Sequence, residues 1–238
     1  MTAETRSVNG RAWERYGGHH LRRGTVMQPA SDIRWGFGSA GPGTRVLGPL
    51  AGRRVLDLGC GTGRYAAHLA RHHHAHVTGV ESAPAQHERA VSSYGSIPGL
   101  TLVQADAVDY LQETAPFDVI ISVHGALCFT PPAVLLPGIF TALRPGGLLA
   151  VSVLHTNYLG EGPAETVEPS PQRLQIAGHD PDTVYRWVLE PALWCRLLGE
   201  HGLTVTTIDR IDSEVDGDPT SCRLIRATRA PADGRDLR

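Results

Sequence analysis

The stretch "VLDLGCGTGRY" runs from Val55 to Tyr65, and its reading decides the fold. An apolar, strand-like run carries the acid Asp57, and three glycines follow at alternate positions, Gly59, Gly61 and Gly63. Glycine lacks a Cβ, so a strand can turn sharply into a helix there and leave backbone N–H groups open to a ligand. The same glycines also suit a tight strand–helix turn that binds nothing, so the flanking sequence has to separate the two.

Outward from this turn, short apolar runs alternate with longer segments of helical character. "RRVLDLG" (53–59), "HVTGVE" (76–81), "LTLVQAD" (100–106), "FDVIISV" (117–123) and "GGLLAVSVLH" (146–155) read as strands. Each is nearly continuous in apolar residues, as expected of strands buried on both faces of a parallel sheet. Helices are expected over 63–73, 83–93, 107–113 and 132–143, with another near 8–23. "LTVTTIDRI" (203–211) and "SCRLIRATR" (221–229) add a final antiparallel pair. The fold expected is α/β, a doubly wound, mostly parallel, seven-stranded, Rossmann-like sheet with an N-terminal helical lid and an antiparallel last strand. Residues 1–50 form the lid segment, 51–229 the main domain with a substrate-side insertion over 156–190, and 230–238 a flexible tail. The insertion begins with "TNYLGEGPAETVEPSPQRLQIAGHDPD" (156–182), four prolines and little periodicity, and is expected to order around ligands.

Composition narrows the function. The 238 residues are 41% hydrophobic and 19% charged, with a net charge of −2, so no overall basic field attracts nucleic acid. All 22 positions counted as Lys or Arg are arginine, which excludes a catalytic lysine or Schiff base. Cys60, Cys128, Cys195 and Cys222 lie far apart without C-x-x-C spacing, which suggests neither a disulfide framework nor a zinc site. The N-terminus lacks the apolar run of a signal peptide, and no stretch is long and apolar enough to span a membrane. A cytoplasmic monomer or homodimer is expected, with no membrane or nucleic-acid partner.

The glycine spacing selects the ligand. A dinucleotide fingerprint reads G-x-G-x-x-G, whereas this chain reads G-x-G-x-G with Arg64 next. Asp57 would also meet a pyrophosphate with like charge, but it suits a ligand with a cationic end, such as the ammonium and sulfonium of S-adenosylmethionine.

On these residues the chain resembles the class I S-adenosylmethionine-dependent methyltransferases of the bacterial small-molecule type, most strongly over residues 50–155. The family's landmarks recur in order. Glu81 closes the second strand, where the resemblance implies an acid accepting two hydrogen bonds from the ribose diol. "QADA" (104–107) matches the segment after the third strand, with Asp106 accepting the adenine amino group and the Ala107 N–H meeting a ring nitrogen. "FDVIIS" and "LRPGGLLAVS" match the fourth strand and the turn into the fifth. The implied cofactor residues are Asp57, Gly59, Gly61, Gly63, Glu81, Ser82, Asp106, Ala107 and Ser122. "DIRWGFG" (32–38) and the N-terminal helix resemble segments that close over the cofactor in the same group, which adds Tyr16 and Arg34 as partners of the methionine carboxylate. "VYRWVLEPALWCRLLGEHGLTV" (184–205) resembles that group's last helix and strand, although Arg186 stands where relatives often carry histidine, so no role is transferred to it.

Methyl transfer requires alignment and, for some acceptors, removal of a proton. His124 after the fourth strand and His155 at the end of the fifth are the candidate bases, with Tyr16, His19 and His20 in the lid behind them. The alternative for His124 and His155 is a hydrogen-bonded structural histidine or a cofactor contact. "RHHHAH" (71–76) is expected to be a solvated helix end, because consecutive histidines on a helix diverge. Asp106 and Asp109 are not expected to form a metal pair, and no metal is expected. Arg6, Arg11, Arg15, Arg22 and Arg23 read as one charged helix face. Trp35, Phe37, Tyr158, Trp187 and Trp194 would favour a flat aromatic acceptor if several roof the pocket. The expected activity is transfer to oxygen, nitrogen or an electron-rich aromatic carbon of a specialised metabolite. A methyltransferase acting on RNA or protein is the alternative, and a dinucleotide oxidoreductase using NAD is more remote.

Overall fold

The strands lack polar alternation because both of their faces are covered. In the computed structural model, which describes residues 2–37 and 41–231, the strand β1 (Arg54–Leu58) lies at the centre of a seven-stranded sheet. Leu56 and Leu58 point into one apolar core, and Val55 points into the other. Around it run β2 (His76–Glu81), β3 (Leu100–Gln104), β4 (Phe117–Val123), β5 (Leu143–Thr156), β8 (Leu203–Asp212) and β9 (Ser221–Arg229). The order is β3-β2-β1-β4-β5-β9-β8. β9 alone runs antiparallel, against β5 on one side and β8 on the other.

Two layers of helices cover the sheet. One core packs β-strand residues against α4 (Ala107–Glu113), α6 (Pro132–Ala142) and α7 (Pro191–Glu200) through Leu111, Leu135, Ile139, Trp194 and Leu198. The other uses Ala66, Leu69 and Ala70 of α2 (Arg64–His73) and Tyr94 of α3 (Pro84–Tyr94), with Ile33 and Trp35 from the segment ahead of β1. Trp35 is fully buried, and its indole N–H donates to the Gly43 carbonyl at 2.9 Å. The chain order reverses between β1 and β4, so a crevice opens above the carboxyl ends of those strands, where open α/β sheets bind ligands.

α1 (Thr2–Arg22) crosses that crevice and packs against α3. Gly17 makes the approach possible, because a Cβ there would sit 2.9 Å from the Gln86 nitrogen. Glu14 accepts a hydrogen bond from the Ala85 N–H at 2.9 Å, which places a carboxylate at the helix start of α3.

Three elements depart from the sequence reading. α1 begins well before residue 8. The segment 156–182, expected to order around ligands, contains one strand of a hairpin, β6 (Ser170–Leu174) with β7 (Asp182–Arg186), which buries Val184. A short helix, α5 (Ala126–Phe129), follows β4. The expected tail falls mostly at 232–238, outside the described residues. None of the described helices is long and apolar enough to cross a membrane.

Candidate active site

All three glycines of the turn have positive φ, 79° at Gly59, 56° at Gly61 and 73° at Gly63, but they do different work. A Cβ on Gly59 would lie 2.3 Å from the Ala126 nitrogen, so the strand–helix turn and α5 can meet only over a bare backbone. Gly63 caps α2 and faces Ala90 and Leu102 rather than the crevice. Gly59 and Gly61 line a cavity of about 530 Å³, and Gly63 does not. This is the volume of a pocket for a small molecule.

The acids are held in place by the backbone. Each carboxylate oxygen of Glu81 accepts one N–H, from Gly61 at 2.9 Å and from Ala83 at 2.8 Å. The group is therefore fixed, with lone pairs left over for a ligand. Burial raises its pKa, and the three N–H groups of Ala83, Gly61 and Ser82 oppose that rise. Asp57 is 2% exposed, and its Oδ2 is buried with no hydrogen-bond partner. Burial and the nearby charge of Glu81 push its pKa up to about 7. Asp106 caps α4 by accepting the Val108 N–H at 2.8 Å, and its other oxygen pairs with Arg6 of α1 at 2.8 Å.

This donor and acceptor set fits S-adenosylmethionine. The orphaned oxygen of Asp57 calls for a cationic donor, and Glu81 presents a rigid acceptor suited to a vicinal diol. Ser82, Asp106 and Ala107 line the same cavity.

The far wall is aromatic. Trp13 and Tyr16 of α1 and Phe129 of α5 line it, with Trp13 edge-on to Phe129 at 5.3 Å and to Tyr16 at 5.5 Å. Asn9 fastens this wall: it donates to the carbonyls of Phe129 and Tyr185 and accepts the Tyr185 N–H at 2.7 Å. Arg6, Asn9, Trp13 and Tyr16 recur at three- and four-residue spacing, so one face of α1 meets the cavity. That period is visible in the sequence and would have added Arg6, Asn9 and Trp13 to the site. Arg89 also lines the cavity, 6% exposed, and donates to Gln86 at 2.6 Å.

His124 follows β4 in the left-handed region, at φ 51°, and lines the cavity. Its ring stacks on Phe37 at 3.9 Å, its Nε2 lies 3.5 Å from Ser152 Oγ, and its Nδ1 is buried without a partner. Burial and then the Arg186 charge lower its pKa to about 3. The ring is neutral at every physiological pH and accepts hydrogen bonds far more readily than protons.

The structure places the remaining candidates elsewhere. His155 lies outside the cavity lining, with its Nε2 3.0 Å from an Arg223 nitrogen on β9. Ser122 is buried; its hydroxyl donates to the Leu58 carbonyl at 2.8 Å and accepts the Leu127 N–H, so it braces the turn from behind. Arg34 is exposed between buried Ile33 and Trp35 and is absent from the lining. His19, 7% exposed, stacks edge-on with His20 and His179 rather than lining the cavity. In the histidine-rich helix α2, His68 points inward and its Nδ1 bonds the Ala30 carbonyl at 3.1 Å. No three His, Cys, Asp or Glu side chains among the described residues converge on a metal position.

The comparisons agree with this geometry. A family described as "Methyltransferase domain" matches residues 55–147, from β1 to the start of β5. A phthiotriol/phenolphthiotriol dimycocerosates methyltransferase of Mycobacterium leprae is 34% identical over 114 residues, covering 47% of this chain and 42% of its own. An O-methyltransferase of Aspergillus nomiae is 33% identical over 111 residues, covering 45% of this chain and 49% of its own. The chain thus spans less than half the length of these curated relatives. Among solved structures, the 1,6-didemethyltoxoflavin-N1-methyltransferase of Burkholderia thailandensis shares the fold with a TM-score of 0.54. It is 22% identical, covers 76% of this chain and 72% of its own, and was solved with 1,6-didemethyltoxoflavin and S-adenosylhomocysteine bound.

Proposed function

We propose that the chain is a class I S-adenosylmethionine-dependent methyltransferase acting on a small-molecule acceptor, a specialised metabolite, at oxygen, nitrogen or an electron-rich aromatic carbon; the methyltransferase-domain match and the curated relatives support this reading. One observation carries the acceptor assignment. A single cavity runs from the glycine turn and its acids to an aromatic wall made by α1 and α5, with His124 among its lining residues. Residues 1–50 act as a lid over it in this reading, and the segment 156–190 backs its aromatic wall, through Tyr185 bonded to Asn9 and Arg186 over Phe129.

S-adenosylmethionine, when bound, supplies a methyl group already activated as a sulfonium. The chain has to hold, align and keep water away. Asp57 takes the ammonium, Glu81 the ribose hydroxyls, and Asp106 with the Ala107 N–H the adenine edge. Arg6 draws α1 down on Asp106 and encloses that end. Trp13, Tyr16 and Phe129 press a flat acceptor into line. His124, held neutral, accepts a hydrogen bond from the reacting O–H or N–H and orients it. A proton released on transfer passes on to solvent, since the imidazole keeps it poorly. Alignment of this kind supplies much of the barrier lowering for a pre-activated reagent.

The test is incubation of the protein with methyl-labelled cofactor and fractionated extract. Label appearing in small molecules supports the reading. Label retained at macromolecular mass would replace the acceptor by RNA or protein, and calorimetry showing NAD but no S-adenosylmethionine binding would overturn the activity altogether.

A further inference from the structure

The reaction as derived leaves Arg186 without work. This residue ends β7, and its guanidinium lies over two phenyl rings, 4.9 Å from the centroid of Phe129 and 5.6 Å from that of Phe37. Its Nε is buried without a hydrogen-bond partner. No carboxylate among the described residues pairs with it; the titratable groups nearest it are the thiols of Cys128 and Cys222, which burial pushes up to about 11 and so keeps neutral. Two cation–π contacts recover only part of the cost of removing a charge from water. A guanidinium kept in this setting is a binding group waiting for an anion.

Its neighbours belong to the acceptor end of the cavity. Phe129 lines the cavity, and Phe37 is 37% exposed and stacks on His124, which also lines it. The acids Asp57, Glu81 and Asp106 all gather at the glycine-turn end. Arg6, Arg64 and Arg89 share the cavity lining with those acids, Arg6 in an ion pair with Asp106, whereas Arg186 lies behind the aromatic wall, outside that lining, with no carboxylate partner among the described residues.

We infer that the acceptor is a planar molecule bearing a carboxylate, which pairs with Arg186 while its ring lies against Phe129. A guanidinium can offer two parallel N–H groups to both carboxylate oxygens, a bidentate geometry that lysine cannot reproduce. The inference rests on the methyltransferase reading of the same site and names its acceptor class. A purely structural role, stapling the hairpin to the segment before β1, predicts different behaviour.

The experiment uses the full chain as wild type, Arg186→Met and Arg186→Lys, each saturated with S-adenosylhomocysteine. 2-Naphthoate and 2-naphthamide, matched in shape and differing in charge, are titrated calorimetrically. The wild type should bind the carboxylate at least tenfold more tightly than the amide. Arg186→Met should lose that preference, and Arg186→Lys should keep part of it. Without ligands, Arg186→Met should also unfold at a higher temperature than the wild type, because an unpaired charge has been replaced by an apolar side chain of similar reach. The proposal is overturned by a wild type that binds the carboxylate no more tightly than the amide, by a preference that survives in Arg186→Met, or by a free Arg186→Met that unfolds at a lower temperature, as a staple would. A wild type that binds no S-adenosylhomocysteine would instead remove the methyltransferase reading, and the acceptor class with it.

Discussion

Asp57 offers the sharpest test of how the site is built, because its carboxyl is strained by burial until a cation arrives. Its pKa rises from an ordinary 3.8 to about 7 in the folded chain, through burial first and the Glu81 charge second. Between those two values the folded protein holds a proton that the unfolded chain has released. The stabilisation this confers is complete below pH 4 and disappears as pH rises through 7. Three units at about 1.36 kcal/mol each make the full span about 4 kcal/mol, of which about 2–3 kcal/mol falls between pH 5 and pH 8. Asp57→Asn removes the titration while preserving the shape. Urea unfolding of the ligand-free protein at pH 5 and pH 8 should therefore show the wild type losing about 2–3 kcal/mol more than Asp57→Asn over that interval. Calorimetry with S-adenosylmethionine in buffers of different ionisation enthalpy should show proton release near pH 7, as the bound ammonium draws the carboxyl back to its charged form. Parallel pH profiles for the two proteins, together with binding that exchanges no proton, would refute the reasoning.

Three further outcomes follow from the same geometry. Glu81→Ala should weaken S-adenosylhomocysteine binding by about 1–3 kcal/mol, the loss for charge-assisted hydrogen bonds; an unchanged dissociation constant in the folded variant would take Glu81 out of the site. His124→Ala should lower single-turnover rate roughly 10²-fold while cofactor affinity holds. The wild-type rate should lack a histidine inflection between pH 5 and 7, since the imidazole stays neutral there; an inflection that disappears in the variant would instead make it the base. Arg6→Ala breaks a half-exposed ion pair and should change folding stability by less than about 1 kcal/mol, yet speed cofactor release in stopped-flow; an unchanged release rate would separate α1 from cofactor retention.

The central sheet could be read from sequence because burial on both faces and glycine punctuation leave few alternatives. β2 and β4 fall over the expected 76–81 and 117–123. The strand β6 is hidden by Pro171 and by half-buried positions that show no apolar run. Side-chain direction was harder. His124 and His155 both end strands at the same sheet edge, but continuous apolar patterning does not tell which face is which. Only the packing of β5 against β9 turns His155 toward Arg223 and away from the cavity. Ser122 was lost in the same way, since a residue inside a strand end can serve the backbone of its neighbour as readily as a ligand. Arg34 fails for a simpler reason: alternation around buried Ile33 and Trp35 carries it outward.

In the proposed reading α1 is the lid through which the cavity fills. Besides packing on α3 and on Phe129, α1 is held over the sheet by polar links: Arg6 to Asp106, Asn9 to Phe129 and Tyr185, Glu14 to Ala85, and Arg15 to Asp182. Neither of the two main apolar cores includes an α1 residue. Hydrogen bonds and half-exposed ion pairs of this kind each contribute on the order of 1 kcal/mol, and water replaces them when they open. An element fastened so lightly opens locally without disturbing the sheet. Its contacts also span both ends of the cavity: Arg6 meets the residue expected at the adenine edge, and Asn9 bonds the carbonyl of Phe129 and the strand that ends in Arg186. Cofactor that orders Asp106 therefore settles the same helix that braces the acceptor wall. Filling one end lowers the cost of closing over the other, which makes cofactor first and acceptor second the order that the architecture favours.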